Sequence, residues 1–468
     1  MSKPLIEKID TIIESSRRDI AELTKNLVNI KSVQENATPN APFGKGVKKV
    51  LDTVIELGKN EGFYTNDYNV GVISVAMKDS PIDLGIWVHG DVVPEGEGWE
   101  FEPYNATEYE GRIIGRGAAD NKGQLAAIFI LLKIFKSLGI ELKYNPAIYV
   151  GSNEETGMKD LLGVDGNDDA KGFVNVCTPP KLSLVPDGAF PVGYGGKGNA
   201  TIRLKTKNKL NNIRLTAGQP SAPGKAEVCF FNKEINCNFK DCTVTAGKDT
   251  IVESFSQPVH TAHPTPDGNM ITTISSALLE SNTLNDTESK LFEFLKNVSS
   301  DTEGKMFGIN VESKTMRPLT LATYRIDDTD GYAEIYLNTR YPIEITLEEI
   351  IKNITEVADK FGLELSGYTS FHIPYLLDKD TEIVKTLCGA ANMVMGDTKA
   401  PYTLGGGTYA HELPNAYVFG SSSNFPPENW VKGRGGAHGI DEAVSLDRLQ
   451  RCMKIYARAL LALNNIEW

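Results

Sequence analysis

The chain is poor in cysteine: six among 468 residues, at positions 177, 229, 237, 242, 388 and 452, with no CxxC pair. So few and so scattered, they argue against a disulfide framework and for the reduced thiols of a cytoplasmic protein. It also lacks long apolar runs. The best, "AAIFILLKIF", carries Lys133 and falls short of the roughly 18 residues a spanning helix needs. The amino-terminal stretch "MSKPLIEKIDTIIESSRRDIAELTKNLVNI" has no signal-peptide core and reads as an amphipathic helix with Ile6, Ile9, Ile13, Ile20, Leu23 and Leu27 on one stripe. Base is in deficit, 48 Lys and Arg against 61 Asp and Glu, a formal charge of -13. That balance excludes an electrostatic grip on nucleic acid or an anionic membrane. Internal repeats and low-complexity tracts are missing as well.

What is present suits a soluble globular protein with two cores, since 468 residues exceed one ordinary core. Up to about residue 190 helical and strand patterns alternate. "VKKVLDTVIELGKNEGF" and "KGQLAAIFILLKIFKSLG" are helical, and "VGVISVAMK", "LGIWVHG", "AIYVGSN" and "LSLVPDG" are strands. Continuous apolar runs such as "AIYVG" predict interior strands of a mostly parallel sheet between helix layers. Past "YGGKGN" the strands alternate in polarity ("ATIRLKTK", "AEVCFF", "CTVTAG", "EIYLNTRYP"), with helices near 269–281, 289–299 and 346–360. The first style returns near residue 377. The pattern predicts an α/β domain in two segments, 1–191 and 377–468, with an α+β domain inserted at 192–376.

Four segments of the α/β part end a strand or turn in acidic or imidazole side chains. They are "WVHGDVV" with His89 and Asp91, "GRGAADNKGQ" with Asp120, "VGSNEETG" with Glu154 and Glu155, and "LVPDGAFPV" with Asp187. Each alone reads blandly: a hydrogen-bonded histidine, a helix cap, a solvated turn, a plain turn. Parallel strands, however, bring their carboxyl ends to one edge, so these residues meet. Carboxylates crowded in a partly dry cleft repel one another and call for a cation, a divalent metal being the economical answer.

With the late "GRGGAHGIDE", the order H-x-D, glycine-flanked D, paired glutamates, P-D-G and G-G-x-H-G resembles the dinuclear metallopeptidase family of aminoacylase, acetylornithine deacetylase, succinyl-diaminopimelate desuccinylase and the bacterial dipeptidase PepV. "GIWVHGDVVPEGEGW", "GRIIGRGAADNKG", "GSNEETG", "LGGGTYAH" and "YLNTRYP" are most similar to the PepV branch. The resemblance implies a zinc-peptidase-like domain holding two divalent ions, zinc first, manganese or cobalt also compatible. Asp120 would bridge them, His89 and Asp187 would complete one, and Glu155 with His438 the other. Asp91 would fix the His89 ring through its far nitrogen, and Glu154 would be the general base. A cis peptide bond after Asp120 is implied too.

In the insert, "SQPVHTAHPTPDGNMI" resembles the family segment whose histidine supports the oxyanion, which places His260 in that role and leaves His263 structural. Arg340 matches a clamp for the substrate carboxylate, and Gly406, Gly407 and Thr408 of the "GGGT" turn could present N–H groups to it. Two departures appear: Gln219 stands where an asparagine contact is expected, and His411 where arginine is. His372 reads as hinge or packing. The implied activity is hydrolysis of short unblocked dipeptides, with a monomer favoured over a homodimer. An N-acyl amino acid deacylase and a non-catalytic peptide-binding scaffold are the alternatives.

Overall fold

In the computed structural model the described residues are 3–163, 171–218, 224–235, 239–255, 264–265, 269–422 and 434–468. His260, His263 and Gln219 lie outside them. The chain divides into two compact units, one of residues 1–195, 377–402 and 408–468, the other of 196–376 and 403–407. The contacts thus group 403–407 with the second unit, where the strand-and-turn pattern assigned them to the first.

The first unit is built on a mixed sheet, in the order Tyr64–Asp67, Ile73–Ala76, Pro146–Gly151, Leu84–His89, Leu182–Val185, Ala416–Val418, Gly193–Gly196. Its centre is parallel, from Pro146–Gly151 through Ala416–Val418. Both flanks are antiparallel. The central strands are buried along their whole length, as runs without polar alternation require when helices cover both faces. Helix Gly123–Ser137 is buried nearly all round and packs on the closing helix Leu446–Leu463. The amino-terminal stripe buries Ile9, Ile13, Ile20, Leu23 and Leu27 but is broken at Ser16 into helices Lys3–Ser15 and Arg17–Val28. The Ser16 hydroxyl donates to the Ile13 carbonyl at 2.8 Å, a side-chain bond that competes with the helix ladder.

The second unit is an eight-stranded antiparallel sheet with helices Met270–Glu280, Asp286–Ser300 and Leu347–Lys360 over its core. Strand Tyr332–Tyr341 sends Ala333, Ile335, Leu337 and Tyr341 into that core. By the two-residue period of a strand, Glu334, Tyr336, Asn338 and Arg340 face the other way.

Candidate metal centre

The parallel core of the first unit fixes where the ligands emerge. His89 stands opposite Gly151 in register, and Val185 opposite Val418, so the 89–91, 152–155 and 186–187 segments all leave the sheet at one edge. Asp120 reaches the same place from the turn that feeds helix Gly123–Ser137, and the Asp120–Asn121 peptide is cis. His438 arrives on the turn before the closing helix with φ of 63°.

These side chains converge. The two carboxylate oxygens of Asp120 face different histidines: Oδ1 lies 3.0 Å from His89 Nε2, and Oδ2 lies 3.3 Å from His438 Nε2. Glu155 Oε1 is 3.0 Å from the same His438 nitrogen. His89, Asp120 and Asp187 offer one ligand atom each, all within 4.8 Å of one another, as do Asp120, Glu155 and His438, so that Asp120 belongs to both triads. His89, Glu154 and Glu155 form a third such group.

The electrostatics are those of a cluster short of positive charge. Burial raises the Glu154 pKa well above the carboxylate range, with Asp187 adding to it. Burial and then Asp120 push Asp187 up to about 7. Burial opposes the charge on His438, yet its bonds to Asp120 and Glu155 outweigh that and raise it to about 11. His89 is likewise raised, against its burial, by Asp120 and Asp91. Protons are retained where a divalent cation would do the same work, and mixed imidazole and carboxylate donors with two triads sharing a carboxylate fit a pair of such ions.

Asp91 lies behind the His89 ring and reaches further. His89 Nδ1 lies 3.0 Å from the Asp91 backbone carbonyl and 3.5 Å from its Oδ1. The carboxylate also accepts the backbone N–H of Glu154 at 3.2 Å and of Glu155 at 3.1 Å. Asp91 thereby ties His89 to the paired glutamates.

Two residues passed over in the sequence hold the cluster from below. Arg116 and Glu442 form a buried ion pair at 2.6 Å. Glu442 Oε1 accepts the amides of Ala119 and Asp120 at 2.9 and 3.0 Å. Arg116 Nη2 donates to the carbonyls of Glu95 and His438, each at 3.2 Å. Both sit inside the quoted motifs, "GRGAAD" and "GGAHGIDE", and that proximity was the available signal.

Arg340, Gly406 and Gly407 belong to the second unit. Arg340 is opposite Asn199 and Thr320 in register, its Nε donates to Asn338 Oδ1 at 3.3 Å, and burial lowers its pKa to about 10. Lys197, also missed, is buried; its ammonium donates to the Pro318 carbonyl. Burial, then the charges of Arg317 and Arg340, bring its pKa down to about 8. A Cβ on Gly407 would meet the His372 ring at 2.2 Å, so a larger residue there would require the ring to move. His372 pairs with Asn199 in the sheet, a packing position. Thr408 is buried and its hydroxyl caps the turn Tyr409–His411, accepting from Ala410 N at 3.2 Å, so its side chain is committed to the turn. His411 Nδ1 accepts the Thr408 amide at 3.3 Å, which gives this histidine a structural task.

An α/β unit with an acidic, histidine-bearing cluster at the carboxyl edge of its sheet, joined to a separate antiparallel unit, defines a metallopeptidase. The chain belongs to Peptidase family M20/M25/M40, whose model matches residues 85–462. It is 28% identical over 473 residues to "Putative dipeptidase YtjP" of Bacillus subtilis, covering 96% of this chain and 97% of the relative. A second relative, "Putative dipeptidase" of Staphylococcus epidermidis, is 26% identical, with 97% and 98% covered. Among solved structures, human carnosine dipeptidase 1 matches with a TM-score of 0.61 at 15% identity over 99% of each chain. The di-peptidase Dug1p from Saccharomyces cerevisiae gives 0.60 at 14%, also over 99% of each. At such identities the structural likeness speaks for the fold.

Proposed function

We propose that the protein is a dipeptidase that hydrolyses short unblocked dipeptides at a pair of divalent ions. His89, Asp120 and Asp187 would hold one ion, and Asp120, Glu155 and His438 the other, zinc being the first choice and manganese or cobalt acceptable to the same donors. The observation that carries this reading is the two-sided use of Asp120, whose oxygens address His89 and His438 separately. When bound, the ions supply Lewis acidity, acidifying water and polarising a carbonyl.

The chain's own residues do the rest. Glu154, half-buried and with its pKa raised, takes the proton from the attacking water and returns it to the leaving amine. Asp91 holds the backbone of Glu154 and the ring of His89 in fixed relation. Arg340 and Lys197 bind the free carboxylate of the substrate, with the glycine turn 405–407 supplying N–H donors. His260, from the inserted unit, supports the developing oxyanion. A clamp for a terminal carboxylate limits substrates to short peptides, because carbonyl and water must be aligned while the terminus is held.

The test is metal analysis of the purified protein alongside a panel of free dipeptides and their N-acetyl forms. Two ions per chain and faster turnover of the free dipeptides are expected. Preference for the acetylated compounds would replace the reading with a deacylase, and turnover of neither would remove it.

A further inference from the structure

Four successive backbone amides, Ser152 to Glu155, are each accepted by a buried carboxylate, and two different residues divide the task. Asp91 takes Glu154 and Glu155 at 3.2 and 3.1 Å. Asp160, fully buried on the short helix Lys159–Leu162, takes Ser152 and Asn153 on its Oδ2 at 2.6 and 3.2 Å. The same Oδ2 also accepts the hydroxyl of Tyr409 at 2.6 Å, and Oδ1 accepts the Leu161 amide at 3.0 Å. Tyr409 is buried, its ring edge-on to Trp87 at 6.0 Å. The approach is so close that a Cβ on Gly151 would sit 1.9 Å from the Tyr409 oxygen, which leaves glycine as the only residue that fits. The 152–160 loop closes on itself through Asn153, whose carbonyl accepts Met158 N at 2.7 Å and whose Oδ1 accepts Lys159 N at 2.9 Å.

A turn needs none of this merely to exist. A buried carboxylate is costly, and placing one under two consecutive amides with a tyrosine hydroxyl as an added donor makes sense where the next residue's position must be held to a fraction of an ångström. That next residue is Glu154. We infer that Tyr409 and Asp160 are positioning residues for Glu154: the hydroxyl keeps the Asp160 carboxylate under the Ser152 and Asn153 amides, and those amides set the point from which the base projects. The inference rests on the role given to Glu154 above. The side-chain hydrogen bonds of both residues among the described residues go to the 152–161 segment and to each other, and neither belongs to a metal triad, so their removal should act on turnover while sparing ion binding and substrate affinity.

The experiment is Tyr409→Phe, which removes one oxygen and keeps the ring, assayed on a free dipeptide hydrolysed by the parent protein. Expected is a fall in kcat on the order of 10-fold to 100-fold, the range seen when a support behind a working residue is lost, with KM within about twofold of the parent and the same metal content. Parental kcat in a folded variant would overturn the inference, as would loss of a metal ion, which would make the pair a support for the ligands instead. Should Tyr409→Phe fail to fold, Asp160→Asn serves with the same expectations. A parent protein that binds metal but cleaves no dipeptide would sink the dipeptidase reading and this inference with it; an active parent with an unimpaired variant would sink the inference alone.

Discussion

Asp120 has a histidine on each of its two oxygens, the arrangement on which the proposed sharing of one carboxylate between two ions rests. Glu154 stands beside it in the group with His89 and Glu155, close enough to be mistaken for a ligand. Substitution separates the roles. Glu154→Gln should retain both ions by elemental analysis while kcat falls by roughly 10²-fold to 10⁴-fold, the range for loss of a general base. An ion lost with the carboxylate would recast Glu154 as a ligand. Lys197 offers a pH test. Its pKa is lowered to about 8, so the ammonium that attracts a carboxylate is present below that pH and lost above it. On the free enzyme, kcat/KM should therefore decline as pH rises through about 8, and the decline should vanish in Lys197→Met. A profile unchanged by that substitution would remove Lys197 from the clamp. At this scale His89, Asp120 and the glutamates were readable because each sits in a short local pattern. Lys197 was not, since "YGGKGN" places a lysine in a turn and only the fold buries it.

Between elements, the Arg116–Glu442 pair joins the turn carrying Asp120, the loop at Glu95 and the turn carrying His438. The partners are 326 positions apart, which is why no local pattern announced them. The same applies to Tyr409 and Asp160, 249 positions apart. The parallel strands were legible from apolar runs. Of the antiparallel flanks, Ile73–Ala76 was legible within "VGVISVAMK", whereas Tyr64–Asp67 is short and largely exposed and has no apolar run to mark it. Removing one partner of a buried pair strands the other charge, whereas replacing both with apolar groups can leave stability intact. Glu442→Gln alone is thus expected to destabilise by about 3–5 kcal/mol. The double variant Arg116→Met with Glu442→Leu should regain part of that stability when metal-free, the backbone groups it leaves unpaired keeping it below the parent, and should bind metal 10-fold to 100-fold more weakly, since the Asp120 amide and His438 carbonyl lose their anchors. Parental metal affinity in the double variant would reduce the pair to ordinary packing.

The whole molecule combines two units with separate cores, and all five candidate ligands belong to the first. The ligands come from segments as distant in sequence as His89 and His438, so ions bound among them would add cross-links to those the Arg116–Glu442 pair already supplies. An ion that binds only the folded state stabilises it by mass action, about 2.7 kcal/mol per site at a free concentration 100 times its Kd. Unfolding of a two-unit chain need not be a single transition, so the stabilisation should be confined to the unit that holds the ions. Calorimetry of the chelator-treated protein is expected to show one transition shifted down by several degrees and one unmoved. Zinc or manganese should restore the first, and magnesium, which keeps its waters and prefers oxygen donors, should restore it less. A chelator that moves both transitions equally, or neither, would mean that the ions do not reside among His89, Asp120, Glu155, Asp187 and His438.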